Sequence, residues 1–483
     1  MEIRNIRIDD ERFQKERKEV LDMYHTGKEV DLDEAISFHK SMPPNKNYGK
    51  KLARAKETKE TLIRSDSGVP DLDEHCEYLR YLQEEGRTDL LGTLLDSMTR
   101  NFRFDEAEKG LQESVRTGNW LLNGFPLLIH GVTGARKVIE AVDLPVEIRG
   151  VAPDWRLMAE IGFAGGHTAT SSNPLQAFSH FSKNIPQEVV IKNSQYMYRL
   201  MGYYEENGVS LSASITGGFG ILCPFSVLIS GAIIDSIIAA EQGVRQMCLT
   251  VHTQGNIVQD VAAIKTLRKM AEEYLRKLGY DSIVVTINCT NWSGKFPEDV
   301  FQASAVICIG VMAAVLANGE IAHVKTIEEA KTIPTREANA ATLRLGKTMI
   351  TMLQDQKPEL DWKAVEIEAK MLEMEVKSIV DRVLELGDGD SVVGNIKAVE
   401  AGIIDFPFPI SRHIPAIIKG VRDKEGMVRY LDHGNLPFTK EIIEFHKEKI
   451  KERERSQERK VDYQSVIDDL SSISKGLLVS RPL

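Results

Sequence analysis

Between residues 59 and 356 the chain repeats one hydrophobic pattern. Short apolar runs occur at 60–64, 90–96, 125–132, 144–150, 209–217, 247–252, 282–289 and 320–325. Helix-length stretches lie between most of them, for example 133–142, 190–207, 226–242, 257–278 and 299–317. The runs are largely continuous rather than alternating, which marks strands buried on both faces and therefore parallel strands between helices. Seven or eight such units predict an α/β fold, a closed (β/α)8 TIM barrel, with a doubly wound open sheet as the competing arrangement.

The flanks read differently. Residues 1–58 are charge-rich, with helical patterns at 9–24 and 31–40 and a Pro-Pro break at 43–44, and predict an N-terminal helical extension. Residues 59–356 form the expected catalytic barrel. Beyond 357 a long amphipathic pattern at 361–386 stops at a GDGD turn, and a strongly charged one covers 440–460. Residues 357–483 therefore predict a C-terminal, mostly helical cap.

Charge and composition narrow the function. Sixty-one Lys and Arg against 71 Asp and Glu give a net charge of −10, which argues against nucleic acid as a partner. Five scattered cysteines without a CxxC predict reduced thiols and a cytoplasmic setting. The charged N-terminal segment does not read as a secretory signal. Residues 221–240 are almost long enough to span a bilayer, but Pro224, Gly231 and Asp235 interrupt them. A buried barrel helix explains the segment better than a membrane span.

Arg100 and Arg149 each follow a short apolar segment. A guanidinium near a packed core calls for an anionic ligand or a structural ion pair, and its planar fork suits a carboxylate or phosphate. The segment ATLRLGKT (341–348) approaches a phosphate-binding loop but lacks the first glycine and falls within a helical pattern. GGFG (217–220) reads as a plain βα turn. No histidine spacing suits a metal, and no GxSxG elbow is present. The cobalt-ligating pattern DxHxxG is also missing; the nearest run, Asp73-Glu74-His75-Cys76-Glu77-Tyr78, ends in tyrosine.

Several segments carry a resemblance to a known family: LDEHCEYLRYLQEEG (72–86), MTRNFRFDEAEKG (98–110), LLNGFP (121–126), RKVIEAVDLP (136–145), AAEQGV (239–244), HVKTIEEAKTIPTREANAA (323–341) and VRYLDHGNLPFT (428–439). The chain resembles the large subunits of glutamate mutase, also called methylaspartate mutase, essentially end to end. The resemblance implies a barrel whose mouth closes over adenosylcobalamin. It implies a small partner subunit with a DxHxxG motif that presents the cofactor and holds its cobalt, in a heterotetramer built on a homodimer of this chain. It also implies a radical isomerisation of L-glutamate to 3-methylaspartate.

Carried over by position, Arg100 and Arg149 match two of the family's three substrate-gripping arginines. Gly68 and Asn123 match cofactor contacts. Lys325, Glu329 and Ile333 match positions around the adenosyl group, the lysine and glutamate holding the ribose close to the substrate. Other positions depart. The third arginine is replaced by Asp66, with Arg64 two residues away. Ser171 stands in place of a glutamate, Ala177 and Phe181 in place of tyrosines, and His180 in place of a cofactor-facing proline. These departures imply that L-glutamate binds poorly if it sits as in the family, and leave either L-glutamate or a related carboxylic acid as the expected substrate. The competing expectation is a catalytically silent protein that binds a partner or ligand.

Overall fold

The computed structural model describes residues 3–331, 334–356 and 358–481. Its main sheet is a closed ring of eight parallel strands. Strand β1 has two pieces, Leu62–Arg64 and Asp66–Ser67, separated by Ser65. The others are β2 (Leu91–Leu94), β3 (Val146–Arg149), β4 (Ala169–Thr170), β5 (Ser212–Ile215), β6 (Gln246–His252), β7 (Val284–Thr290) and β8 (Ile321–His323). The second piece of β1 pairs with β2 and the first piece with β8, so the one strand closes the barrel. The predicted barrel is the observed fold.

Two strand assignments differ from the hydrophobic pattern. Residues 125–132 were expected as a strand, yet Leu127–Glu140 is a helix, kinked at Gly131 where φ is +65°. Leu127, Leu128 and Val132 are buried, and a short apolar run cannot separate a buried helix turn from a buried strand. The displaced strand is β4, only two residues long, in a Gly- and Ser-rich stretch with no apolar run to announce it. The C-terminal part also contains an antiparallel hairpin, β9 (Lys419–Arg422) and β10 (Val428–Asp432). ATLRLGKT lies inside the helix Arg336–Gln354. Residues 225–241 form a buried helix, and no helix among the described residues is long and apolar enough to cross a membrane.

The alternation of faces explains how the barrel holds a polar interior. Outward positions such as Ile63, Leu91, Ile148, Leu249 and Ile287 join the apolar layer between sheet and helices. Inward positions on the same strands include Arg64, Asp66, Glu147, Arg149, Thr250, Asn288, Thr290 and His323. At the N-terminal end the helix Tyr48–Thr58 plugs the barrel, its Tyr48 and Leu52 packing with Leu62, Ala169, Cys248 and Ile321. The plug leaves the C-terminal mouth as the accessible end, where barrel enzymes build their sites.

Candidate active site

A cavity of about 200 Å³ lies at that mouth, lined by Asp66, Arg100, Arg149, Phe181, His252 and Lys325 among others. Arg149 is the last residue of β3, whereas Arg100 ends the short helix Ser97–Arg100 that follows β2. Lys325 lies two residues beyond β8 rather than at its end.

Charges of alternating sign run from the mouth into the barrel. Residues two apart on a strand share a face, so Arg64 and Asp66 on β1 stand beside Glu147 and Arg149 on β3. Arg149 Nε donates to Asp66 Oδ1 at 3.1 Å and to Oδ2 at 3.3 Å. Arg149 Nη1 lies 3.5 Å from Glu147 Oε1. The other Glu147 oxygen pairs with Arg64 Nη1, which also donates to Tyr48 Oη at 3.1 Å. The four groups form two cations and two anions and balance to zero.

Burial acts to raise the Asp66 carboxyl, but Arg149, His323 and Arg64 outweigh it and hold the group well below the usual carboxylate range. Gly92 makes room for the pair: a Cβ there would lie 2.8 Å from Asp66 Oδ1 and 3.0 Å from Arg149 Cγ. Arg64 therefore does not reach the mouth in place of a missing arginine. It is fully buried, one layer deeper, and held by Glu147.

Arg100 is tethered differently. Its Nε donates to the Leu95 carbonyl at 3.1 Å and its Nη1 to the Val151 carbonyl at 2.7 Å. No carboxylate among the described residues lies within ion-pair distance. Its side chain crosses Gly150, where φ is +142° and a Cβ would lie 2.8 Å from Arg100 Cδ. Ser171 Oγ secures that crossing by donating to the Gly150 carbonyl at 3.0 Å and accepting from the Gly150 N–H at 3.1 Å. Asp96 is near, but its Oδ1 caps the helix by accepting the N–H groups of Met98 and Thr99.

The helix Pro174–His180 carries Ala177, fully buried, and His180, nearly so; Phe181 follows, partly exposed at the cavity wall. His180 packs edge-on against Phe219 and Phe406, and Nδ1 lies 2.6 Å from Ser179 Oγ. Burial lowers its imidazole to about 4. His252 and His323 are each lowered to about 3, chiefly by burial, so both are neutral near pH 7. His323 Nε2 lies 3.2 Å from Asp66 Oδ2 and its Nδ1 3.1 Å from Thr290 Oγ1.

A second cleft of about 680 Å³ adjoins the first, sharing Asp66 and Leu94 and continuing past Gly68, Tyr78, Trp120, Asn123 and Arg336. A Cβ at Gly68 would lie 2.2 Å from the Leu94 carbonyl oxygen, and one at Gly124 2.6 Å from it. These glycines let two loops close on the end of β2. Asn123 Oδ1 accepts the Ser97 N–H at 2.9 Å. Lys325 Nζ pairs with Glu329 Oε1 at 3.2 Å on the cavity rim. Ile333 lies outside the described residues. No group of three or more His, Cys, Asp or Glu side chains among the described residues is placed to hold a metal ion.

The fold brings Arg100, Arg149, Asp66, Ser171, Phe181 and Lys325 together on one cavity and Gly68 and Asn123 on the adjoining one, whereas Ala177, His180 and Glu329 line neither. Glu147, Gly92 and Gly150 do not stand out in the sequence, and His252 and His323 stand out there only as histidines near strand ends that lack a metal-ligand spacing. The first was findable, since Glu147 sits two residues before Arg149 on an inward-facing strand.

A family model described as methylaspartate mutase E chain matches residues 42–482. Among curated relatives, a glutamate mutase epsilon subunit of Desulfitobacterium hafniense is 44% identical over 483 residues, covering all of both chains. The one from Treponema denticola is 41% identical, covering 100% of this chain and 99% of its own. That of Escherichia coli O157:H7 is 36% identical over the full length of both.

Proposed function

Since the chain belongs to the methylaspartate mutase E chain family, we propose that it is the large subunit of an adenosylcobalamin-dependent carbon-skeleton mutase. Its reaction is the radical isomerisation of L-glutamate to 3-methylaspartate or of a related carboxylic acid. The observation that carries this reading is the pair of adjoining cavities at the barrel mouth. One is small and bears Arg100; the other is larger, closed by Gly68 and Gly124, and meets the first at Asp66 and Leu94.

The outer cleft would receive one face of the large cofactor, since it opens beside the substrate cavity at Asp66 and Leu94 and backbone at Gly68 forms part of its wall. Gly68, Asn123 and Ile333 would hold it, Lys325 and Glu329, now paired with each other at the cavity rim, would hydrogen-bond its ribose, and His180 would support it through Phe219. When bound, adenosylcobalamin supplies reversible homolysis of a cobalt–carbon bond, the step no side chain can perform. This chain's residues do the rest. Arg100 binds and orients the substrate carboxylate, its two backbone tethers fixing the guanidinium before the ligand arrives. Phe181, Phe219 and Val151 give the inner cavity an apolar wall, which would limit water around a bound substrate. The cobalt ligand is assigned to a small partner subunit carrying DxHxxG, in a heterotetramer.

The test combines this chain with such a partner and adenosylcobalamin, adds L-glutamate, and follows 3-methylaspartate by proton NMR with cob(II)alamin as the radical readout. Product, or a cob(II)alamin signal with another acid, supports the reading. A cofactor-loaded complex that gives no radical with any small acid refutes it and leaves a silent binding protein.

A further inference from the structure

We infer that the inner cavity selects a small acid bearing a single carboxylate and an uncharged remote end, and that Asp66 sets this selectivity. The inference rests on the site assigned under the proposed function but uses only the charges on the cavity wall.

Among the described residues that line the cavity, every arginine and lysine but one is ion-paired with a carboxylate. Arg149 is bound by Asp66 through Nε and faces Glu147 through Nη1, while Glu147 is shared with Arg64. Lys325 is bound by Glu329. Of these lining residues Arg100 alone makes no ion pair: its hydrogen bonds go to carbonyls, and the nearby Asp96 carboxylate, engaged in capping its helix, lies beyond ion-pair distance and offsets the charge only in part. That provides a place for one carboxylate, with the fork geometry that binds it best.

A second carboxylate has no such place. To reach Arg149 it must displace or lie beside Asp66, whose charge repels it. A remote ammonium fares no better, because the Asp66 charge it would face is already balanced by Arg149, whose own charge repels it. The rest of the wall is uncharged: hydroxyls of Thr250, Thr290 and Ser293, the amide of Gln176, and aromatic rings. Such a wall accepts a methyl, hydroxyl, carbonyl or amide without an unpaired buried charge.

Three five-carbon probes separate the possibilities by their remote ends: pentanoate (neutral), glutarate (anionic) and 5-aminopentanoate (cationic). Their equilibrium binding to the full chain is measured by calorimetry at constant ionic strength. Pentanoate is expected to bind at least about tenfold more tightly than the other two. Asp66→Asn, which frees Arg149, is expected to shift the preference toward glutarate by about tenfold. Glutarate binding as tightly as pentanoate to the unsubstituted chain overturns the inference, as does tighter binding of 5-aminopentanoate or no binding of pentanoate. This outcome is separable from that of the mutase reading, which is judged by cob(II)alamin formation in the complete complex. Charge selectivity without radical formation would retire the mutase and keep the selectivity, and the reverse result would do the opposite.

Discussion

Glu147→Gln tests whether the alternating charges inside the barrel depend on one another. Glu147 is fully buried; one oxygen serves Arg64 and the other lies 3.5 Å from Arg149. Tyr48 Oη adds a long hydrogen bond at 3.4 Å. Glutamine keeps the shape but removes the charge. Arg149 still has Asp66, so the damage falls on Arg64, whose Nε and Nη2 already lack partners. A buried cation stripped of its counter-ion costs about 3–5 kcal/mol. For a chain of 483 residues the unfolding entropy is roughly 1 kcal/mol per kelvin, so the midpoint falls by about 3–5 °C. Near-ultraviolet circular dichroism during heating reads that shift. The double substitution Arg64→Met with Glu147→Leu removes both charges and is expected to recover most of the loss. If Glu147→Gln melts within about 1 °C of the unsubstituted chain, or if the double variant is as unstable as the two single losses added, the coupled-charge account is wrong.

Two further outcomes follow from the site's geometry. Gly150→Ala places a methyl 2.8 Å from Arg100 Cδ and 2.9 Å from Trp155 at a φ of +142°. It should cost about 1–3 kcal/mol in strain and weaken pentanoate binding more than it weakens stability, checked by calorimetry beside thermal denaturation; an unchanged affinity would show that Arg100 does not bind the carboxylate. His180 is held neutral in the fold at about 4 by burial, below its unfolded value, so its contribution to stability is complete above about pH 6.5 and is lost as the pH falls toward 4. His180→Phe keeps the ring packing against Phe219 and Phe406 and should flatten that part of the stability–pH curve, measured by urea denaturation from pH 7 to 4; an unaltered slope would count against burial as the cause.

Much of the fold was legible because outward strand positions carry the apolar pattern. Ile63, Ile148 and Ile287 pack against helices and give each strand its hydrophobic run. The two failures have opposite physical origins. FPLLIHGV is apolar because its helix turn is buried between sheet and neighbours, and period alone cannot distinguish that from a strand. Strand β4 is only two residues long and lies among glycines and serines, so it leaves no hydrophobic trace. The interior was harder to read, since a barrel usually fills its centre with branched apolar residues. Here Thr286, Asn288 and Thr290 point inward from a strand whose adjacent Val284 and Val285 suggested burial on both faces.

Arg100 and Arg149 look equivalent in the sequence, and the structure separates them by their partners. Arg149 shares its strand with Glu147 and faces Asp66 across Gly92, so the fold neutralises it before any ligand arrives. Arg100 lies on a short helix beyond the sheet and hydrogen-bonds only to carbonyls, with Asp96 near but outside ion-pair distance, so its charge is only partly offset. An arginine at a barrel mouth is thus an anion site only when the carboxylates within reach of it have been counted. The decisive carboxylate comes from another strand: Asp66 is 83 residues from Arg149 in sequence. Spacing along one segment cannot reveal that pairing, whereas closure of β1 onto β2 and β8 imposes it. The same closure couples substrate choice to the barrel's own charge balance. A change at position 66 that frees Arg149 also removes part of what holds His323 and the deeper pair in register, so new specificity at this mouth carries a stability cost.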